Sequence, residues 1–177
     1  GTETNPMISF IRQLANSVEF KRLIPLPEAK IKRREHEEYV LRFFAYKDNY
    51  LNFDKSVRDF LDEYLSNMEA TFDDNKKSEY SRIFFDMLNF VDKNFPNGFR
   101  KSPGSTVVSR IRFEATAVGS ALALATQPNL RDVPSIDTNW AYDEPFLGMM
   151  RSDASNSRPK VKARIEHVTN KLLEVTA

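Results

Sequence analysis

Apolar residues in this chain recur at steps of three and four, the spacing of one face of an α-helix. Almost nowhere do they alternate at the step of two that marks a half-buried strand. Asn5-Pro6 reads as an N-cap followed by proline in the first helical position, and Met7, Phe10, Ile11, Leu14, Ala15 and Val18 continue as one stripe. Pro25 and Pro27 interrupt the pattern, since proline fixes φ and lacks the amide hydrogen. A second helix is expected to start near residues 28–32 and to carry Tyr39, Val40, Phe43 and Phe44 on one side. Residues 49–52 read as a loop. Asp54 is expected to cap a third helix with Val57, Phe60, Leu61, Tyr64, Leu65 and Met68 facing inward. Asp73-Asp74-Asn75 opens a fourth, with Tyr80, Ile83, Phe84, Met87, Leu88, Val91 and Phe95 as its stripe. Pro96-Asn97-Gly98 is a stop, and residues 101–105 form a polar loop.

The fifth helix, over residues 106–125, differs from the others. Ala115, Ala117, Gly119, Ser120, Ala121 and Ala123 let neighbouring helices approach closely, so it is the expected centre of the bundle. Residues 128–139 are irregular. Asp137-Thr138-Asn139 reads as a cap, and Trp140 and Tyr142 anchor a short helix around residues 144–151. A flexible polar break is expected over residues 152–158. The last helix starts near Arg158-Pro159, and Val161, Ile165, Val168, Leu172 and Val175 form a narrow seam suited to one partner helix. The fold class is therefore all-α, a bundle of about six to seven helices in a single domain spanning residues 1–177.

Composition narrows the chemistry. Cysteine is absent, which excludes disulfides and thiolate metal sites and agrees with a cytoplasmic location. The 26 basic and 25 acidic residues leave a net charge of +1, so any nucleic-acid surface must be a local patch. No apolar run approaches the ~20 residues of a membrane span. The amino terminus has neither a basic nor an apolar leader segment, and its leading glycine suggests a piece of a longer protein.

His36 and His167 stand in no metal-ligand spacing and read as solvated histidines on helix surfaces. No Gly-x-Ser-x-Gly elbow and no glycine-rich phosphate loop occurs. Glu35, Glu37 and Glu38, like Asp59, Asp62 and Glu63 and like Asp73 and Asp74, read as solvated faces or helix starts. Phe43, Phe60, Phe84 and Phe95 sit on helical stripes and belong to the core. Three basic clusters remain. Lys30, Lys32, Arg33 and Arg34 can pair along their own helix. Arg100, Lys101, Arg110 and Arg112, with Lys160 and Arg164 on the last helix, are the candidates for contact with nucleic-acid phosphates.

The stretch Glu38-Tyr39-Val40-Leu41-Arg42-Phe43-Phe44-Ala45 resembles the Glu-x-Val-Leu-Arg-Phe-Phe-Ala signature of the GmrSD-type restriction endonuclease family, whose amino-terminal domain is ParB/sulfiredoxin-like. Phe60-Leu61-Asp62-Glu63-Tyr64-Leu65 is similar to the Phe-Leu-Asn/Asp-x-Tyr-Met block that follows in that family. Residues 95–100 resemble its Phe-Gly-x-x-Ala-Phe-Arg turn in degraded form. Residues 110–115 resemble the next helix, and residues 152–173 its closing helix. The resemblance implies the helical carboxy-terminal part of the ParB-like region. In that family an Asp-Gly-Gln-Gln-Arg motif is tied to nucleotide hydrolysis, and some members add a His-Asn-His-type nuclease; neither occurs in this sequence. No catalytic, cofactor or metal residue can be carried over, and nucleotide and magnesium are expected only of a full-length protein.

Two function classes follow. One is a helical scaffold segment of a DNA-targeting defence protein, non-catalytic in itself, with a catalytic domain and DNA as partners. The other is an interaction or oligomerisation module that uses the 161–175 seam to pair with a second copy or another chain, without nucleic acid. A free-standing enzyme is the least supported class.

Overall fold

Side-chain caps decide where most helices of this chain begin. The computed structural model describes residues 5–54, 56–151 and 157–177. Nine α-helices form among them: α1 (Pro6–Ala15), α2 (Val18–Leu23), α3 (Glu28–Lys32), α4 (Glu35–Asn49), α5 (Val57–Thr71), α6 (Asp74–Asn94), α7 (Arg110–Thr126), α8 (Phe146–Met149) and α9 (Arg158–Leu173). Short 3-10 turns cover Tyr50–Asn52, Pro128–Asp132, Asn139–Tyr142 and Glu174–Thr176. No strand forms among the described residues; a single antiparallel bridge pairs Arg100 with Val108. None of the helices is long and apolar enough to cross a membrane. The all-α bundle is as expected; α8 is the expected short helix, and the short α2 and α3 are added to the expected ones.

The caps explain several boundaries that differ from the sequence reading. Asn5 Oδ1 accepts from Met7 N at 2.9 Å, and Asp73 Oδ1 accepts from Lys76 N at 2.8 Å, as the sequence suggests. Each such cap contributes about 1 kcal/mol. Ser17 Oγ accepts from Phe20 N and starts α2, so the first stripe ends at Ala15 and Val18 is 78% exposed rather than inward. Ser56, not Asp54, caps α5. Ser109 caps α7, which therefore starts at Arg110 and not at Thr106. The expected second helix is two, because Arg34 takes a left-handed conformation (φ 58°) that separates α3 from α4. Of the expected break over 152–158, residues 152–156 lie outside the described residues, and Ser157-Arg158 already begins α9.

The aromatic residues of α4 and α6 fill the core. Phe44 stacks on Tyr80 at 5.1 Å, and Phe43 meets Phe84 edge-on at 5.8 Å. Phe113 of α7 adds edge contacts to Tyr39 (5.0 Å) and Phe99 (4.9 Å). α7 is the central helix, packed against α4, α6 and α9, and residues 112–121 are all buried. Gly119 is what brings α9 so close: a Cβ there would lie 2.5 Å from Val168 Cβ and 2.9 Å from the Ile165 carbonyl oxygen. Thr169 Oγ1 donates to the Gly119 carbonyl at 3.1 Å and locks the crossing.

This crossing corrects the reading of the last helix. Val161, Ile165, Val168 and Leu172 are buried against α7 of the same chain, so the seam already has its partner helix. Val175 lies beyond it and is exposed. A second copy cannot use the seam unless α9 leaves the bundle.

Candidate functional site

Charge inside the core is the feature the sequence reading missed. α7 is covered on several sides, so its polar residues go inward with the alanines. Glu114 is buried, and Arg42 of α4 donates to its Oε1 at 2.7 Å while also donating to Glu38 at 2.9 Å. Arg110 reaches Glu35 and Glu38 at 3.7 and 3.9 Å and lies over the Tyr39 ring at 5.7 Å. Arg164, from α9, adds its field to Glu114 and to the Tyr46 hydroxyl. The result is a network of arginines and glutamates that ties α4 to α7 and, through Arg164, to α9. Burial pushes the Glu114 carboxyl above the ordinary carboxylate range, and the guanidiniums of Arg42, Arg164 and Arg110 oppose that push. Burial works against the Arg42 cation, but Glu114 and Glu38 outweigh it and hold it above its usual value.

Arg112 faces the opposite way. It is 1% exposed, donates to the Ala141 carbonyl, and lies 4.1 Å over the Tyr142 ring. No carboxylate pairs with it among the described residues, and burial pulls its pKa down. It acts as a staple for the 138–146 segment. Asn94 holds the same segment from the end of α6: its Oδ1 accepts from Ile136 N at 3.1 Å, and its carbonyl accepts from Thr138 Oγ1 at 2.6 Å.

The six sequence candidates therefore do not share one basic face. Arg100 and Lys101 are exposed in the loop ahead of α7, where Tyr142 donates to the Arg100 carbonyl at 2.7 Å. Arg110 turns to α4, and Arg112 is internal. Arg164 is only 3% exposed, which corrects its reading as a surface contact. Lys160 and Arg164 do come together, with Arg151, Met149 and Ala163, around an open cavity of about 430 Å³ between α8 and α9. Arg151 is already paired with Glu144 at 2.8 Å. The exposed basic residues left from the set are Arg100, Lys101 and Lys160.

Both histidines need correction as well. His36 is buried, with Nε2 at 2.7 Å from the Ile24 carbonyl oxygen and its ring edge-on to Phe20. His167 stacks on Phe146 at 5.2 Å, and its Nε2 is buried without a hydrogen-bond partner among the described residues. Burial, reinforced by Lys171, lowers its pKa. The 35–38 carboxylates, expected in solvent, are half-buried members of the ion network or its edge. A third polar group sits at the end of α4: Asp48 Oδ2 accepts from Tyr64 at 2.6 Å and from Tyr80 at 2.8 Å, and Lys47 pairs with Oδ1 at 2.7 Å. Among the described residues no group of three or more His, Asp or Glu side chains could hold a metal ion.

The first two quoted sequence blocks lie mainly inside the bundle, with Leu41, Phe60 and Leu65 only partly buried. Tyr39, Val40, Phe43, Phe44 and Ala45 are buried, Leu61 and Tyr64 are buried, and Arg42 is the link to Glu114. They are the internal skeleton of the bundle. Comparison with family models, with curated proteins and with solved structures finds no match to the chain.

Proposed function

We propose that this chain is a helical scaffold segment of a DNA-targeting defence protein similar to the GmrSD-type restriction endonucleases, without a reaction centre of its own. The observation that carries the reading is the role of the ordered blocks. Most of their apolar members line the core, and Arg42, one of their internal cations, joins α4 to α7 through Glu114. Residues that resemble a family in order and also build the fold are what a shared scaffold requires. Nucleotide hydrolysis in such a protein belongs to a partner domain. The sequence holds no Asp-Gly-Gln-Gln-Arg motif, and the described residues hold no group of three or more acids or histidines placed to bind a metal ion.

DNA contact, where this segment contributes it, rests on Arg100, Lys101 and Lys160. Cations of this kind bind phosphate by charge and counterion release, so their effect is salt-dependent and insensitive to sequence. The test is fluorescence anisotropy of a labelled duplex at low salt, with Arg100→Ala combined with Lys101→Ala, and with Lys160→Ala. Weaker binding and a shallower salt slope in each variant is the expected result. A duplex that does not bind, or binds all variants alike, removes DNA contact from the proposal. Arg110 and Arg112 are unsuitable for this test because their loss disturbs internal contacts.

A second reading, a protein interaction module, is favoured by one observation: α3 buries no residue in its own chain.

A further inference from the structure

α3 is an ordered helix that contributes nothing to the core. It follows Pro27, ends at Lys32 two residues before the left-handed Arg34, and packs on α4. Its apolar residue, Ile31, is 47% exposed. Ile31 lines an open cavity of about 250 Å³ together with Arg12, Lys21, Arg34 and Glu37. Val18 stands three residues before Lys21 on α2, on the same helix face, and is the most exposed large apolar residue described. Ile31 thus lines the concavity, and Val18 lies exposed one helical turn before its Lys21 wall.

The surrounding charge is one-sided. Between Lys21 and Arg34 the chain has six basic residues and one acidic residue, Glu28, in a molecule whose net charge is +1. Asp92 cancels one of these cations by pairing with Arg22 at 2.9 Å, and acids do little to cancel the other five. Arg33 and Arg34 reach their glutamates only at 3.9 and 3.8 Å, Lys32 reaches Glu28 at 3.7 Å, and Lys21 and Lys30 have no ion-pair partner among the described residues. An apolar centre with a basic rim matches a protein surface of the opposite design: aliphatic anchors flanked by carboxylates. A duplex would satisfy the cations but offers nothing to cover Val18 and Ile31.

We propose that the Val18–Ile31 surface, rimmed by Lys21, Lys30 and Arg34, is a docking site for an acidic protein segment that carries apolar side chains. The inference rests on the scaffold reading, to which it adds the face that a partner domain would engage. Docking buries the two aliphatic groups, and the rim sets the approach and the salt dependence.

The probe is a fluorescein-labelled helical peptide with leucines on one face and glutamates on the others, beside a scrambled peptide of the same composition. Anisotropy with the full chain is expected to show binding that weakens about tenfold or more in Val18→Ser with Ile31→Ser. Lys21→Glu with Lys30→Glu is expected to weaken it most at low salt. Thermal melts by circular dichroism confirm that the variants fold; both aliphatic positions are exposed, so little change is expected. The proposal fails if the peptide does not bind at low salt, if the scrambled peptide binds as tightly, or if Val18→Ser with Ile31→Ser binds unchanged. Duplex DNA binding that only the Lys21 and Lys30 changes abolish, without peptide binding, reassigns the surface to nucleic acid and also overturns it. None of these substitutions touches Arg100, Lys101 or Lys160, so the DNA part of the scaffold reading and the docking surface fail separately.

Discussion

The crossing of α4, α7 and α9 and the corner made by α2 and α3 use arginine in opposite ways. At the crossing, Arg42 and Arg164 are withdrawn from water among helices packed closely enough to need Gly119. At the corner, Arg33 and Arg34 lie in solvent beside a helix that buries nothing. The first arrangement is intolerant, since a buried charge without its partner is costly and a packed contact cannot absorb new atoms. The second has no such penalties. The contrast separates residues that hold the fold from residues available to something else.

The largest effect expected is at the ion network. Arg42→Met leaves Glu114 buried without its closest cation and is expected to cost about 3–5 kcal/mol, read as a shift in the urea midpoint. Adding Glu114→Leu to Arg42→Met is expected to recover most of that loss, because a well-packed apolar pair can replace a buried ion pair. If the double variant is no better than the single one, the cost lies in packing rather than in the orphaned carboxylate.

A smaller loss is expected at the helix crossing. Gly119→Ala places a methyl group 2.5 Å from Val168 Cβ, so α9 must shift, at a cost of about 1–3 kcal/mol. A thermal melt equal to that of the parent chain would mean that the crossing is looser than its distances indicate.

The smallest effect, of opposite sign, belongs to the corner. Arg34→Gly removes the left-handed strain of about 1–2 kcal/mol and adds the flexibility of glycine to the unfolded chain. The net is a gain of about 0.5 kcal/mol by denaturant melt, since the exposed 3.8 Å contact with Glu37 contributes little. A loss would show that Arg34 makes a contribution at the corner beyond that long ion pair.

The same contrast describes what was legible in the sequence. The Asn5 and Asp73 caps and the small-residue run of α7 carry local signals and appear where they were read, and most stripe residues are buried, with Val57, Phe60, Leu65 and Ile83 only partly so. Val18 was misplaced because the stripe spacing continues across Asn16-Ser17 while the Ser17 hydroxyl starts a new helix. Nothing in an arginine announces a left-handed residue, so α3 and α4 read as one. The internal charges were missed for a different reason. Charged residues read as surface one at a time, whereas burial is decided by what packs on the whole helix. Arg112 and Glu114 sit on the helix whose small residues had already marked it as central, and that helix had no solvent face on which to place them. The seam of α9 was correctly seen as needing one partner helix; its being α7 depends on long-range packing that spacing does not encode.

Trp140 is the chain's one tryptophan, and it sits edge-on to Phe95, Phe146 and His167 where the end of α6, α8 and α9 meet. The protein thereby carries a built-in optical label at a single joint. Its emission reports whether the segment stapled by Arg112 and Asn94 is seated, while far-ultraviolet ellipticity reports the helices as a whole. Where the two signals part company during a melt, this joint has opened before, or after, the bundle around it.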